Sequence, residues 1–458
     1  MAVIISISGI RGTIGGQYGN NLTPIDIVKY TTAYTMLIKE KIEGSRRAKI
    51  VVGRDARLSG NMIKNIVIGT LISLGVDVID IDLSPTPTVE LAVEHLKADG
   101  GIIITASHNP IEWNALKLLN SDGNFISEEE SEKVSLYYKN TEKIVYSDVF
   151  NLGKIEKENF IKQHIHLIRN LDLVNVSAIE KANFKVAIDC INSVGSIAIP
   201  LLLKELGVRE VYTVNCVANG IFAHNPEPLP EHLRQLSDLV KNAGADVGFA
   251  VDPDVDRLAI VNEDGSFFGE EYTVVAIADY VLSHRKGATV SNLSSSMALK
   301  ELTEKKYGQS YYAAKVGEVN VVKMMKSVHA VIGGEGNGGV IYPKLHYGRD
   351  ALVGIALFLS FLAEKQMKPS ELRKLYPNYV MIKDKRKIEN VNIDEVFAKL
   401  KDVYKETDTT EGLKIFFDRG WVHIRKSNTE PIIRIYSEAE NYEKAQHLID
   451  EVLNYAGL

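Results

Sequence analysis

Three times along the chain the same succession occurs: strand, helix, strand, helix, strand, with the last strand short, apolar and ending abruptly in polar residues. The first copy runs KIVVGRD (49–55), SGNMIKNIVIGTLISLG (59–75), VDVIDIDL (76–83), TVELAVEHLKADG (88–100) and GIIIT (101–105), opening into ASHNP (106–110). The second runs from KVAIDC (185–190) to ADVGFAV (245–251) and opens into DPDVDR (252–257). The third runs from ATVSNL (288–293) to HAVIGG (329–334) and opens into EGNGG (335–339). Such an order confines each copy to an α/β unit whose chemistry sits at the carboxyl ends of its strands. The spacing between copies is not constant, so this is domain duplication rather than a solenoid.

A chain of 458 residues exceeds the roughly 250–300 at which a single core stops growing. After Pro369 the pattern changes to a smaller α+β unit, whose loop KSNTEP (426–431) lies between the strands WVHIR and IIRIYSE. The expected fold is therefore three related α/β domains with mixed sheets plus a smaller C-terminal α+β domain, around a central cleft. Boundaries are expected at 1–153, 154–257, 258–368 and 369–458. A net charge of −6 argues against a nucleic-acid partner. The start, MAVIISISGIRG, lacks the charged head and cleavage pattern of a signal peptide. The greasiest stretch, 351–363, falls short of the roughly 18 residues a membrane span needs. A cytoplasmic protein without membrane contact is expected; a homodimer is left open. The two cysteines, Cys190 and Cys216, have no metal-ligand spacing and read as buried thiols.

DPDVDR places Asp252, Asp254 and Asp256 at alternate positions, on one face of an extended chain. Three adjacent carboxylates repel unless a cation binds, and oxygen ligands select a hard divalent ion, Mg²⁺ first. An EF-hand is the competing pattern because Glu263 stands at loop position twelve. It fails because Arg257 occupies the glycine position and the flanks read as strands. In KSNTEP, Ser427, Asn428 and Thr429 between Arg425 and Arg434 suit a phosphate. An ordinary turn whose charges are met by Glu430 and Glu438 is the alternative. Glu335 and Asn337, on a glycine-loosened backbone that lets a ligand approach, could hold neighbouring sugar hydroxyls. Arg11, set among glycines, is a candidate for a reacting phosphate. Arg54 and Arg57 are expected to pair with Asp55, and Lys117 is either a charge partner near Ser107 or a surface lysine.

TASHNP, DPDVDR, GEGNGG and RKSNTEP, in this order, resemble the α-D-phosphohexomutases over essentially the whole chain. The resemblance implies that Ser107 is carried as phosphoserine and that Mg²⁺ bridges it to Asp252, Asp254 and Asp256. It implies a phosphorylated hexose as substrate and a sugar 1,6-bisphosphate as activator. Arg425, Ser427, Asn428, Thr429 and Arg434 would then hold the phosphate that is not transferring, and Glu335 and Asn337 the sugar. Arg11 and Arg257 would supply charge, Lys117 a proton relay, and His108 orientation of the phosphoserine or substrate. Three departures stand out. Asn337 and Gly339 replace the serine and histidine of the family's GExSGH, Pro253 replaces a glycine, and NALK carries alanine where NGxK is usual. SGIRG and KVGE look most like the phosphoglucosamine mutases, with glucose or mannose phosphate mutases as rivals. A Mg²⁺-dependent phosphatase working through the same serine is the less favoured alternative.

Overall fold

The computed structural model describes residues 4–6, 9–44, 46–387, 392–426 and 432–457. Two compact units divide the chain: Met1–Glu270 with Gly339–Ser370, and Glu271–Gly338 with Glu371–Leu458.

In the first unit a seven-stranded mixed sheet takes the order Ile4–Ser6, Gly9–Thr13, Trp113–Leu119, Gly100–Ile104, Lys49–Arg54, Asp77–Leu83, Ile155–Lys157. Its middle strand shows why the run of isoleucines is there. Ile102 and Ile104 pack into a core under the helices Pro24–Glu40 and Gly60–Ser73, while Ile103 packs into a second core with Val89 and Val93 of Thr86–His95. A strand covered on both faces reads as a continuous apolar run rather than an alternating one.

A second sheet follows, ordered Leu258–Asn262, Val247–Val251, Lys185–Asp189, Glu210–Val214. Its strand Val247–Val251 is parallel to Lys185–Asp189 and antiparallel to Leu258–Asn262. The helix Ala351–Lys365 is apolar on every side as far as Leu362 because it is buried that far; Phe358 meets Phe249 and Phe268 edge-on. No helix among the described residues is long and apolar enough to cross a membrane.

The second unit contains the parallel strands Tyr311–Ala314, Thr289–Asn292 and Ile332–Glu335. It also holds an antiparallel sheet ordered Val380–Lys387, Ile432–Ala439, Gly420–Lys426, Leu413–Phe417, Thr407–Asp408. The helices Ile393–Val403 and Tyr442–Ala456 share one core with that sheet.

Two expected boundaries cut through structure. Ile155–Lys157 pairs with Asp77–Leu83, so the first sheet continues past 153. The division at 257 falls between the two strands of an antiparallel hairpin, because the chain turns back after the aspartates instead of leaving the sheet.

Candidate active site

Ser107 follows the strand Gly100–Ile104 and has φ of +48°, a left-handed conformation that a non-glycine residue holds only when its surroundings impose it. The imposing groups are visible. Thr105 Oγ1 accepts from Ser107 N at 3.0 Å and donates to Asp55 Oδ2 at 2.7 Å. Asp55 in turn receives Arg57 Nε at 3.0 Å. The fully buried Arg57 spends its remaining donors on four carbonyls of the loop: Ser107 at 2.5 Å, Asn109 and Pro110 at 2.6 Å, and Trp113 at 2.9 Å. The Arg57–Asp55 pairing is thus present, but its larger consequence is to fix the serine loop. Arg54 differs from expectation: its Nε pairs with Asp82 at 2.8 Å and reaches only the carbonyl of Asp55.

The three aspartates converge through a turn, not along an extended strand. Val255 N bonds to Asp252 O at 3.1 Å and Val255 takes φ of +62°. All three carboxylates are fully buried, with ligand-capable oxygens within 4.8 Å of one another. Asp252 has both oxygens held, its Oδ1 accepting from Asp256 N and Arg257 N at 3.2 Å, whereas Asp254 and Asp256 each have one. Asp252 Oδ2 accepts from Ser107 Oγ at 2.7 Å, and Asp254 Oδ2 from Lys117 Nζ at 2.8 Å and Thr86 Oγ1 at 2.7 Å. Asp256 Oδ2 accepts from Arg349 Nη2 at 2.6 Å. Asp254 Oδ1 and Asp256 Oδ1 are buried without a hydrogen-bond partner, a costly state for carboxylate oxygens unless something else satisfies them. An oxygen-only donor set with two such atoms fits a hard divalent cation.

The electrostatics point the same way. Burial and repulsion from Asp256 and Asp254 hold the Asp252 carboxyl well above the usual carboxylate range. Burial also pushes Asp254 upward, but the Lys117 ammonium together with hydrogen bonds from Asp252 and Thr86 outweighs it and leaves Asp254 below that range. Burial alone would lower Lys117; Asp254 and Asp256 more than compensate, and it is held as an ammonium. Lys117 stands on the strand Trp113–Leu119, on the same face as Ala115, whose cross-strand partner is Arg11. Arg11 is drawn down by burial and back up by Asp254. His108 Nδ1 lies 3.4 Å from Ser107 Oγ. Burial and the guanidiniums of Arg257, Arg349 and Arg11 push its imidazole well below the ordinary value, so it is neutral at pH 7. Arg257 is buried, its Nη1 donating to Glu227 Oε1 at 3.2 Å.

The first unit therefore gathers Ser107, His108, Lys117, Arg11, Arg257 and the three aspartates. The remaining expected residues belong to the second unit. Glu335 is buried, and its Oε1 accepts from Asn292 Nδ2 at 2.9 Å and Gly317 N at 3.1 Å. Asn337 lies two residues beyond, half-buried. The glycine before it answers to the protein itself: a Cβ on Gly336 would fall 1.8 Å from Glu271 Oε2. Arg425 and Arg434 are directly opposite one another on neighbouring antiparallel strands, where like charges repel, and Arg425 Nη1 lies 3.7 Å from Glu411 Oε1. Glu438, the expected counter-charge, instead accepts from Trp421 Nε1 and Met297 N. Ser427, Asn428, Thr429 and Glu430 lie outside the described residues.

Sequence reasoning missed Thr86, Glu227 and Arg349. Arg349 had one available signal: the tetrapeptide GRDA occurs twice, at 53–56 and at 348–351.

Comparison with known proteins covers the whole arrangement. Residues 4–144, 162–265 and 269–379 match the phosphoglucomutase/phosphomannomutase alpha/beta/alpha domains I, II and III, and 380–454 match the C-terminal domain of that family. A phosphoglucomutase/phosphomannomutase of Thermococcus kodakarensis is 38% identical, over 98% of this chain and 97% of that protein. A phosphoglucosamine/phosphogalactosamine mutase of Sulfurisphaera tokodaii is 32% identical, over 99% and 98%. The crystal structure of a phosphoglucomutase/phosphomannomutase family protein from Burkholderia thailandensis superposes with a TM-score of 0.84 at 25% identity, covering 99% of this chain and 98% of that one. Four matched domains in unbroken order define the class of enzyme, an intramolecular phosphotransferase of the phosphohexomutase kind. The chain belongs to the phosphoglucomutase/phosphomannomutase family.

Proposed function

We propose that the enzyme moves phosphate between O6 and O1 of a hexose phosphate through phosphoserine at Ser107 and a bisphosphorylated sugar, with glucosamine 6-phosphate and glucosamine 1-phosphate as the preferred pair. One observation carries the reading: a serine in a fixed left-handed turn, its Oγ 2.7 Å from a carboxylate whose two neighbours each keep an unpartnered buried oxygen.

Asp252, Asp254 and Asp256 would hold Mg²⁺ beside the Ser107 ester. When bound, the ion supplies charge neutralisation to the transferring phosphoryl group. The chain's own residues do the rest. A sugar hydroxyl forms the new P–O bond as the bond to Ser107 Oγ breaks, and one proton must pass from that hydroxyl to the serine oxygen. Lys117, an ammonium bonded to Asp254 in the same cluster as Ser107, would relay that proton, giving one to Ser107 Oγ and regaining one from the sugar. Neutral His108 can accept a hydrogen bond and orient the reacting oxygen. Arg11 and Arg257 add positive charge. The opposed pair Arg425 and Arg434 would grip the resting phosphate, and Glu335 with Asn337 the sugar hydroxyls. The second transfer, from the other sugar oxygen, returns a phosphoryl group to Ser107. A sugar 1,6-bisphosphate primes the enzyme by the same step in reverse.

A second substrate reading, glucose or mannose phosphates, is favoured by the 38% identical relative's name. Two unbonded thiols, Cys190 and Cys216, suit a reducing cytoplasm. Phosphorus NMR of the Mg²⁺-loaded protein with glucosamine 6-phosphate, glucose 1-phosphate or mannose 1-phosphate, each with a trace of its bisphosphate, tests the proposal. Fastest conversion of the amino sugar, abolished in Ser107→Ala, is expected. Faster turnover of glucose or mannose phosphate overturns the substrate, and inorganic phosphate as main product overturns the mutase reading.

A further inference from the structure

Behind the metal loop the first unit buries a second set of ionisable groups that phosphoryl transfer does not use. Asp350 is fully buried at the start of the helix Ala351–Lys365, and its Oδ1 caps that helix by accepting from Leu352 N at 2.8 Å and Val353 N at 3.3 Å. Capping needs one oxygen, and a serine or threonine supplies it as well. The other oxygen, Oδ2, is met from two sides, by His164 Nε2 at 2.9 Å and His346 Nε2 at 3.4 Å. On the far sides of the rings, His164 Nδ1 bonds Thr88 Oγ1 at 2.9 Å, and His346 Nδ1 lies 3.4 Å from Glu90 Oε2, an ion pair only when that ring is protonated. Burying two carboxylates and two imidazoles is unfavourable beside an apolar filling of the same shape. Such groups make sense where they fix one geometry.

The geometry they fix lies one residue away. Backbone at Asp350 is extended, with φ of −143° and ψ of 107°, so Arg349 and Asp350 send their side chains to opposite sides. Asp350 goes to the histidines, and Arg349 goes to Asp256 Oδ2 at 2.6 Å. The turn is tied to the metal loop through its backbone as well, by Ala351 N to Val255 O at 3.2 Å. It packs too tightly to shift, since a Cβ on Gly348 would fall 1.9 Å from Glu90 Oε2.

We propose that His164 and His346 are positioning residues for phosphoryl transfer: by gripping Asp350 they fix the turn that delivers Arg349 to Asp256, leaving the second oxygen of Asp256 turned toward the cation. The proposal rests on the reading of the three aspartates as a metal site.

The test is Mn²⁺ binding to the full-length, metal-free protein, followed by electron paramagnetic resonance, with kcat, KM and melting temperature measured alongside. His164→Leu should weaken Mn²⁺ binding and lower kcat roughly 10- to 100-fold with KM little changed. His164→Gln, which can still donate to Asp350, should restore most of both. In an Arg349→Ala background, adding His164→Leu should change Mn²⁺ affinity no further, because the route through Arg349 is already cut. Equal losses in both backgrounds, or a lower melting temperature with unchanged Mn²⁺ affinity, overturn the proposal. If His164→Leu does not fold, His346→Leu and His346→Gln make the same comparison. Wild-type protein that binds no Mn²⁺ overturns the metal reading itself, an outcome distinct from wild-type binding that the variants leave untouched.

Discussion

Two clusters of buried charge sit in the two units, and they are finished differently. In the second unit Lys414 Nζ donates to Leu293 O at 2.6 Å and lies 3.8 Å from the centre of the Trp421 ring. Glu438 Oε2 receives Trp421 Nε1 and Met297 N at 2.8 Å, and Glu271 Oε2 receives Ser296 N at 2.9 Å. His423 bonds Ser294 Oγ at 2.9 Å and Glu411 O at 2.7 Å. Burial pulls the Lys414 ammonium down to about 8, against the pull of Glu438. These groups are met by backbone, hydroxyls and an indole, and they join the loop after Thr289–Asn292 to the C-terminal sheet. The aspartate cluster of the first unit keeps two oxygens unmet. A closed cluster holds a structure together, whereas an open one waits for a ligand.

The contrast breaks most sharply at the open cluster. Asp252→Asn should lower kcat by on the order of 10³-fold, measured by coupled assay or phosphorus NMR. At the closed cluster, Glu438→Gln or Lys414→Met should destabilise the second unit by about 1–3 kcal/mol, because each removes a charge or donor whose partners stay buried. Urea unfolding followed by Trp421 fluorescence in a Trp113→Phe background reads this, and kcat of the folded fraction should stay near wild type. The same Asp252→Asn should raise the metal-free melting temperature, by about 1 kcal/mol of stability, since it removes one of three mutually repelling carboxylates. A fall instead would mean that the open cluster is as structurally settled as the closed one.

The smallest expected effect concerns pH. Burial, aided by Lys414 and Arg425, holds His423 down at about 4 from an ordinary 6.5. The unfolded chain therefore takes up the proton first as pH falls. The stability that His423 contributes is full above pH 6.5 and drains away between 6.5 and 4, amounting to about 1 kcal/mol by pH 5.5. His423→Gln should flatten that part of the urea midpoint against pH; an unchanged slope would remove His423 as its source.

Much of this was legible in the chain because the informative residues are local. GIIIT announces a strand buried on both faces, and the abrupt change to ASHNP marks its reactive end; DPDVDR carries three carboxylates in five residues. What was not legible is what closes these loops from a distance. Arg57 reaches back to the serine loop from 50 residues away, and Thr86 meets Asp254 across 168. Neither pairing leaves a periodic trace, since a single side chain filling a three-dimensional gap has no sequence spacing to obey. The boundary at 257 failed for a related reason: an acidic loop inside a hairpin reads the same as one between domains until strand pairing is seen. In sequence alone Gly336 reads as opening space for a ligand, because nothing in the chain shows that Glu271 already occupies that space.

The first unit is discontinuous, and that has a consequence in time. On the ribosome Asp256 emerges 93 residues before Arg349, its closest cationic partner. At about 5–20 residues per second, the nascent chain carries an acidic loop for roughly 5–20 s before the guanidinium that settles it has been made. Over that interval the loop must be kept hydrated or sheltered, so final locking of this centre is a late event of synthesis. A translational pause placed before residue 339 would prolong the most vulnerable stage of the molecule's life.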